Sequence, residues 1–234
     1  MRDEGFGMRD EGLAIAVLCS GGLDSAVLVA EALREADGVV PIYVSVGFAW
    51  EAEERRMLDR LLDSPPFAAK VRPAVHLQFD MRDVFPATHW AVRGEPPAFD
   101  TPDEDVYLDG RNVILLSKAS VYMARHHLQV VWLGPLAGNP FPDATMEFFD
   151  VMARALSLGL AAPIEIRAPF AALHKADVIR KGIELGVPLE LTLSCMQPSD
   201  GRHCGRCSKC RERRDAFREA GIDDPTSYRV APVR

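Results

Sequence analysis

The sequence predicts an α/β fold, a doubly wound parallel sheet with helices on both faces. Three observations predict it. Strand-like and helix-like segments alternate along most of the 234 residues. A glycine-rich hexapeptide stands between the first strand and the first helix, where open α/β sheets bind their ligands. No linker is strong enough to divide the chain into two large domains, and the length suits one.

The elements follow in order. Leu13–Cys19 is a continuous apolar run, as a strand buried on both faces requires. Ser25–Ala36 places Val27, Leu28, Ala32 and Leu33 near helical spacing. Val39–Val46 reads as the second strand, Glu51–Leu62 as the second helix and Val75–Phe79 as the third strand. Residues 80–109 carry Pro86, Pro96, Pro97 and Pro102 and read as one long loop, a length that often marks a lid. Asn112–Leu128 (helix), Val130–Leu133 (strand), Asp143–Leu158 (helix) and Ile164–Ala168 (strand) follow. Lys175–Leu185 is a helix closed by Gly186 and Pro188. Residues 1–12 repeat a short Met-Arg-Asp-Glu-Gly unit and read as a disordered lead-in.

Composition narrows the function. Hydrophobic residues make 48% and charged residues 26%, with a net charge of −7. That acidic balance favours a small-molecule enzyme over a nucleic-acid binder, whose footprint is basic. The apolar runs fall short of the roughly 20 residues that cross a bilayer, and the first dozen residues are charged, unlike a signal peptide. The expectation is a cytoplasmic protein without a membrane partner.

Ser20-Gly21-Gly22-Leu23-Asp24-Ser25 carries the first chemical signal. Two glycines let the backbone turn sharply and approach an anion. The loop amides and the positive end of the following helix then face a phosphate, and Ser20 and Ser25 add hydroxyls. Asp24 would hold Mg²⁺ or cap the helix. No Gly-Lys-Ser/Thr follows, so this is not a Walker loop.

Cys195, Cys204, Cys207 and Cys210 carry the second. Without a secretory signal, such spacing points to metal ligation rather than disulfides. Four thiolates close a tetrahedral zinc site with no open position, which makes zinc structural. An iron–sulfur cluster is the rival. The fold class therefore gains a small C-terminal zinc-binding subdomain, with boundaries expected at 13–192 for the nucleotide-binding domain and 193–234 for the zinc segment.

The hexapeptide resembles the PP-loop of the N-type ATP pyrophosphatases. Together with the cysteine spacing it resembles the 7-cyano-7-deazaguanine synthases of queuosine and archaeosine precursor synthesis. Gly110-Arg111-Asn112, Pro142-Asp143, the run Lys175–Arg180 and the run Glu184–Thr192 leading into Ser194-Cys195 match that family in order. The resemblance spans about residues 13–225. It implies an adenine nucleotide α-hydrolase-like fold, a zinc-containing homodimer, and ATP with Mg²⁺ as co-substrate. It also implies a ligase reaction: ATP adenylates 7-carboxy-7-deazaguanine, ammonia displaces AMP, and a second ATP drives the amide to the nitrile. Asp24, Ser25 and Lys175 are the expected catalytic residues. Leu18, Cys19, Ser20, Gly21, Gly22, Leu23, Asp24, Ser25, Arg111 and Asn112 are expected to bind ATP, and Pro142 and Asp143 the deazaguanine acid.

Two stretches depart from the family. Val46-Gly47-Phe48-Ala49-Trp50 stands where many members have Tyr-Gly-Gln-Arg-His. Leu136–Ala144 stands where members tend to have Asp-Tyr-Ser-Gly-Tyr-Pro-Asp-Cys. ATP use follows more directly from the resemblance than the acceptor does, and another carboxylate or a tRNA base stays open. Plainer roles stay open as well. Arg111 and Asn112 would simply start a helix, Asp143 would cap one, and Lys175 would be solvated unless an anion sits nearby. Cys19 reads as a buried apolar residue, Trp50, Trp90 and Phe99 as core or loop anchors, and His126 and His127 as structural. Two other functions compete: a sulfur-transferring tRNA-modifying PP-loop enzyme, which lacks its paired Cys-x-x-Cys here, and a zinc-ribbon-like nucleic-acid binding module.

Overall fold

β1 (Ala14–Leu18) is the central strand of a five-stranded, all-parallel sheet in the order β3-β2-β1-β4-β5. The other strands are β2 (Gly38–Ser45), β3 (Val75–Gln78), β4 (Val130–Trp132) and β5 (Glu165–Arg167). The helices are α1 (Leu23–Glu35), α2 (Glu51–Leu62), α3 (Trp90–Arg93), α4 (Arg111–Arg125), α5 (Met146–Leu160), α6 (Lys175–Glu184) and α7 (Ser208–Ala220). The computed structural model describes residues 14–230, so the expected lead-in at 1–12 lies outside the described residues.

Alternation along β1 divides the core in two. Ile15 and Val17 point to the face covered by α1 and α6, where they meet Val27, Leu28, Val178 and Ile179. Ala16 points to the face covered by α4 and α5, with Leu116, Ala119, Met123 and Phe149. Both faces of the central strands are dry, which is why their sequences are apolar throughout rather than alternating.

Pro41 sits inside β2, where a central strand would normally reject it. The Ile42 carbonyl accepts from the Cys19 amide on the β1 side. Pro41, one residue earlier, therefore turns its missing N–H toward the β3 side. There β3 pairing begins only at Ile42 opposite Val75, so no ladder bond is lost.

Four expectations need correction. The helix expected from Asp143 begins at Met146, because Pro142–Ala144 forms a 3₁₀ turn and Thr145 caps the helix by accepting from the Phe148 amide. The helix expected to reach Leu128 stops at Arg125, and His127 has left-handed backbone, φ 57°. Residues 80–109 are not one plain loop: they hold α3 and a 3₁₀ turn at Asp103–Val106. α7, absent from the expected element order, packs on α6.

Among the described residues no helix is long and apolar enough to cross a membrane.

Arg213 of α7 is 1% exposed. It donates to Thr226 Oγ1 (2.6 Å), Thr192 Oγ1 (2.8 Å), Ser194 Oγ (3.2 Å) and the Leu189 carbonyl (2.8 Å), with Asp224 3.9 Å away. These bonds tie α7 to the segment after α6. Replacing a buried, fully engaged guanidinium strands its partners. Arg213→Met is expected to lose about 3–5 kcal/mol in urea unfolding; a loss under about 1 kcal/mol would show that the network is dispensable.

Candidate active site

The loop between β1 and α1 sits at the carboxyl edge of the sheet. Gly21 has φ +74°, and an added methyl there would lie 3.2 Å from the Leu58 backbone amide, so glycine is required twice over. Gly22 is extended and stands at the N-cap of α1. Its amide donates to Ser20 Oγ at 3.3 Å, and its carbonyl accepts from Ser25 Oγ at 3.0 Å. The Leu193 amide donates to the Gly21 carbonyl at 2.8 Å, fastening the loop to the C-terminal segment. Cys19 is buried with its Sγ 3.7 Å from Ser25 Oγ, and burial pushes its thiol up, which suits a packing residue rather than a nucleophile.

Asp24 projects from the first turn of α1. One oxygen, Oδ2, lies 3.2 Å from Lys175 Nζ. The other, Oδ1, is buried and has no hydrogen-bond partner among the described residues. Burial raises the Asp24 carboxyl, against the pull of Lys175. An orphaned carboxylate oxygen beside a glycine loop at a helix N-terminus fits a divalent cation held with phosphates. The anion anticipated beside Lys175 is therefore protein: Asp24 on one side and Glu212 of α7 on the other.

One cleft with two halves opens over this loop. The half above β1 and β2 is walled by Leu18, Ile42, Tyr43, Val44, Leu108 and Leu133. The other half is walled by Trp50, Glu54, Trp90, Phe141, Lys175 and Met196. Ser20, Gly22, Asp24 and Arg111 belong to both halves, so a molecule in one meets a molecule in the other at the loop. Cys19, Ser25, Asn112 and Asp143 line the first half, and Leu23 the second. Gly21 and Pro142 do not line the cleft; they shape the backbone behind it.

Gly110-Arg111-Asn112 and Pro142-Asp143 meet each other. Asp143 Oδ2 accepts from the Asn112 amide at 3.0 Å, and Asn112 Nδ2 donates to the Asp143 carbonyl at 3.0 Å. Asp143 thus caps α4 from across the cleft rather than its own helix. Arg111 is left facing the cleft with its buried Nε unpartnered among the described residues. Trp50 and Trp90 stack on each other at 5.6 Å and 15°, and Phe99 lies under the Arg214 guanidinium at 5.0 Å.

The four cysteines are buried and free, with all four sulfurs within 4.8 Å of one another. Cys204 and Cys207 sulfurs stand 3.8 and 3.5 Å from that of Cys210. A tetrahedron with metal–sulfur bonds of about 2.3 Å has sulfur–sulfur edges of about 3.8 Å. Amides of Gln197, Cys204 and Arg206 donate to cysteine sulfurs, which favours thiolates. The donor set fits one ion with closed coordination; a cluster of several irons would spread its ligands further apart.

Two acids that sequence reasoning left without a role shape the site. Glu51 accepts from the Val46 amide at 2.8 Å and the Gly47 amide at 3.1 Å, fixing the loop after β2. Glu54, 8% exposed, accepts from the Tyr43 hydroxyl at 3.1 Å. Burial pushes the Glu54 carboxyl up to about 7, opposed by Arg111, Tyr43 and Trp50 and reinforced by Glu51. Nothing in the sequence marks Glu54, because its partners come from β2 and α4. Its folded value lies above its unfolded one, so its ionisation opposes folding: the cost is absent below about pH 4.5 and grows as pH rises through 7. Glu54→Gln is expected to gain about 2–3 kcal/mol over the parent at pH 8, shrinking to nothing near pH 4.5, in urea unfolding followed across pH. A gain independent of pH would contradict this.

Comparison with known proteins agrees with the geometry. The family described as queuosine biosynthesis protein QueC matches residues 14–221. A 7-cyano-7-deazaguanine synthase of Methanopyrus kandleri is 32% identical, covering 91% of this chain and 97% of its own. One from Methanoculleus marisnigri is 34% identical over 90% and 96%, and one from Anaeromyxobacter dehalogenans 33% over 91% and 94%. Matched over nearly its whole described length, the chain belongs to the QueC family of queuosine biosynthesis proteins.

Proposed function

We propose that this enzyme is an ATP-dependent carbon–nitrogen ligase that converts 7-carboxy-7-deazaguanine and ammonia to 7-cyano-7-deazaguanine. The observation that carries the reading is the PP-loop at the junction of a two-chambered cleft, and the name shared by its relatives supports it.

The chamber over β1 and β2 takes the adenosine. The loop amides and the N-terminus of α1 receive the pyrophosphate end, with Lys175 beside it; Ser20 turns its hydroxyl to the phosphates, and Ser25 does so on giving up its bond to the Gly22 carbonyl. Asp24 Oδ1 would hold Mg²⁺, which neutralises phosphate charge. Arg111 faces the α-phosphate, where charge builds up, and the Asn112–Asp143 bonds hold it there. The carboxylate of the acid, bound in the second chamber, attacks the α-phosphorus and pyrophosphate leaves. Ammonia then adds to the acyl carbon, loses a proton, and AMP leaves as the amide forms. The amide oxygen attacks the α-phosphorus of a second ATP and displaces a second pyrophosphate; loss of AMP and of the two N–H protons then gives the nitrile. The protein's share is positioning and charge neutralisation.

Cys195, Cys204, Cys207 and Cys210 would hold structural zinc, making residues 193–234 a zinc-binding appendage to the nucleotide domain at 13–192. By its resemblance the protein would work in the cytoplasm as a homodimer, a state that light scattering reads directly.

A second reading keeps the ATP chemistry and changes the acceptor. Both departures from the family pattern fall on the second chamber, through Trp50 and through Leu136 to Phe141.

Three measurements test these readings. Chromatography after incubation with ATP, Mg²⁺, ammonia and 7-carboxy-7-deazaguanine should give AMP and pyrophosphate with the nitrile by mass; ADP as the main product would overturn the mechanism, and AMP without amide or nitrile would move the acceptor. Asp24→Asn should lower kcat on the order of 10²-fold while the fold survives. Metal analysis should find about one zinc per chain, and Cys207→Ser should lose both metal and thermal stability; iron with sulfide, or no metal, would refute the zinc.

A further inference from the structure

Four charged residues of α7 line the second chamber and are left idle by the mechanism above: Lys209, Glu212, Asp215 and Glu219; the first two are joined to the loop through Lys175. Glu212 bonds to Lys175 through Oε1 and to Lys209 through Oε2 at 2.7 Å. Lys175 in turn meets Asp24 of the PP-loop at 3.2 Å. The four charges alternate in sign along one line of contacts: loop carboxylate, ammonium, carboxylate, ammonium. Their side chains are 26%, 16%, 26% and 27% exposed in that order, half-sheltered yet open to a ligand. The charges of Lys209 and Glu212 are felt at Asp24 itself.

A lysine and glutamate three residues apart on a helix facing water contribute little. This pair lines the same chamber as Ser20, Gly22 and Asp24. Pyrophosphate leaves with several negative charges, and Lys175 alone, already shared between two carboxylates, neutralises only part of them. Two ammonium groups side by side repel, and a carboxylate between them removes that cost. Cys207 is the N-cap of α7 and Cys210 lies in its first turn, so the cysteine cluster fixes the turn that carries Lys209.

We propose that Lys209 is a second cation of the pyrophosphate subsite and that Glu212 is the positioning residue that holds it beside Lys175. The proposal rests on the ATP-cleaving reading given above.

The test is calorimetric titration of the full-length, metal-loaded protein with inorganic pyrophosphate plus Mg²⁺, and separately with AMP. Lys209→Met should weaken pyrophosphate about 10-fold while AMP affinity, metal content and melting temperature hold; Lys209→Arg should recover most of the loss. Glu212→Gln should weaken pyrophosphate, again without moving AMP. Pyrophosphate affinity within twofold of the parent in Lys209→Met overturns the proposal and leaves ATP cleavage standing. Equal weakening of AMP and pyrophosphate together with metal loss also overturns it, because that marks a structural lysine. Failure of the parent protein to bind pyrophosphate at all overturns the ATP reading and the proposal with it.

Discussion

Lys175 stands between two carboxylates drawn from opposite ends of the chain, and the cleft is organised around it. Asp24 comes from the first βα turn and Glu212 from the last helix. Burial would lower the lysine, but the two acids more than offset it and raise it instead. Removing either acid would leave the lysine held by the other alone, with half of its compensation gone. The arrangement therefore holds three segments together: the Ser20–Ser25 loop, the start of α6 and the N-terminal half of α7. The amide of Leu193 on the Gly21 carbonyl adds a neutral bond to the same junction. The Ser20–Ser25 loop and the cysteine cluster thereby belong to one mechanical unit, although their residues lie 170 to 190 positions apart.

The long segment at 80–109 is held from the same side. Arg211, next to Cys210, donates to the carbonyls of Phe99 at 2.6 Å and Thr101 at 3.1 Å, and Gln197 Nε2 donates to the Gly94 carbonyl at 3.0 Å. That segment delivers Trp90, Val106 and Leu108 to the cleft wall. The cysteine-bearing region thus shapes the second chamber twice, directly through Cys195 and Met196 and indirectly through the segment it anchors.

Much of this was legible in the sequence. The five strands lie within a residue or two of their expected places, because buried parallel strands need apolar runs whatever else surrounds them. The loop Ser20–Ser25 and the four cysteines were legible because local spacing alone carries their chemistry. Pairings across the fold were not legible. Asp143 looked like a cap for its own helix and caps α4 instead. Glu54 and Glu212 drew no reading in the sequence, because only the folded chain brings Tyr43 to one and Lys175 to the other. α7 was hidden by its composition: a helix this rich in arginine and glutamate shows no apolar stripe, and burying Arg213 depends on partners some 13 to 24 residues away.

Pro41 has a bearing on how copies of this chain treat one another. Where β3 stops short, Val39 of β2 pairs with Val71 in a single parallel bridge, so only Pro41 stands between two pairings on that side; an unpaired margin is a template on which a foreign strand can grow. Val39 offers a carbonyl there, and the Arg72 amide already occupies it. Pro41 offers no donor. The stretch beside β2 is thus closed to ladder growth, by the Val71 bridge at one position and by proline at the other, so the strand that supports the Ser20–Ser25 loop offers no open edge there.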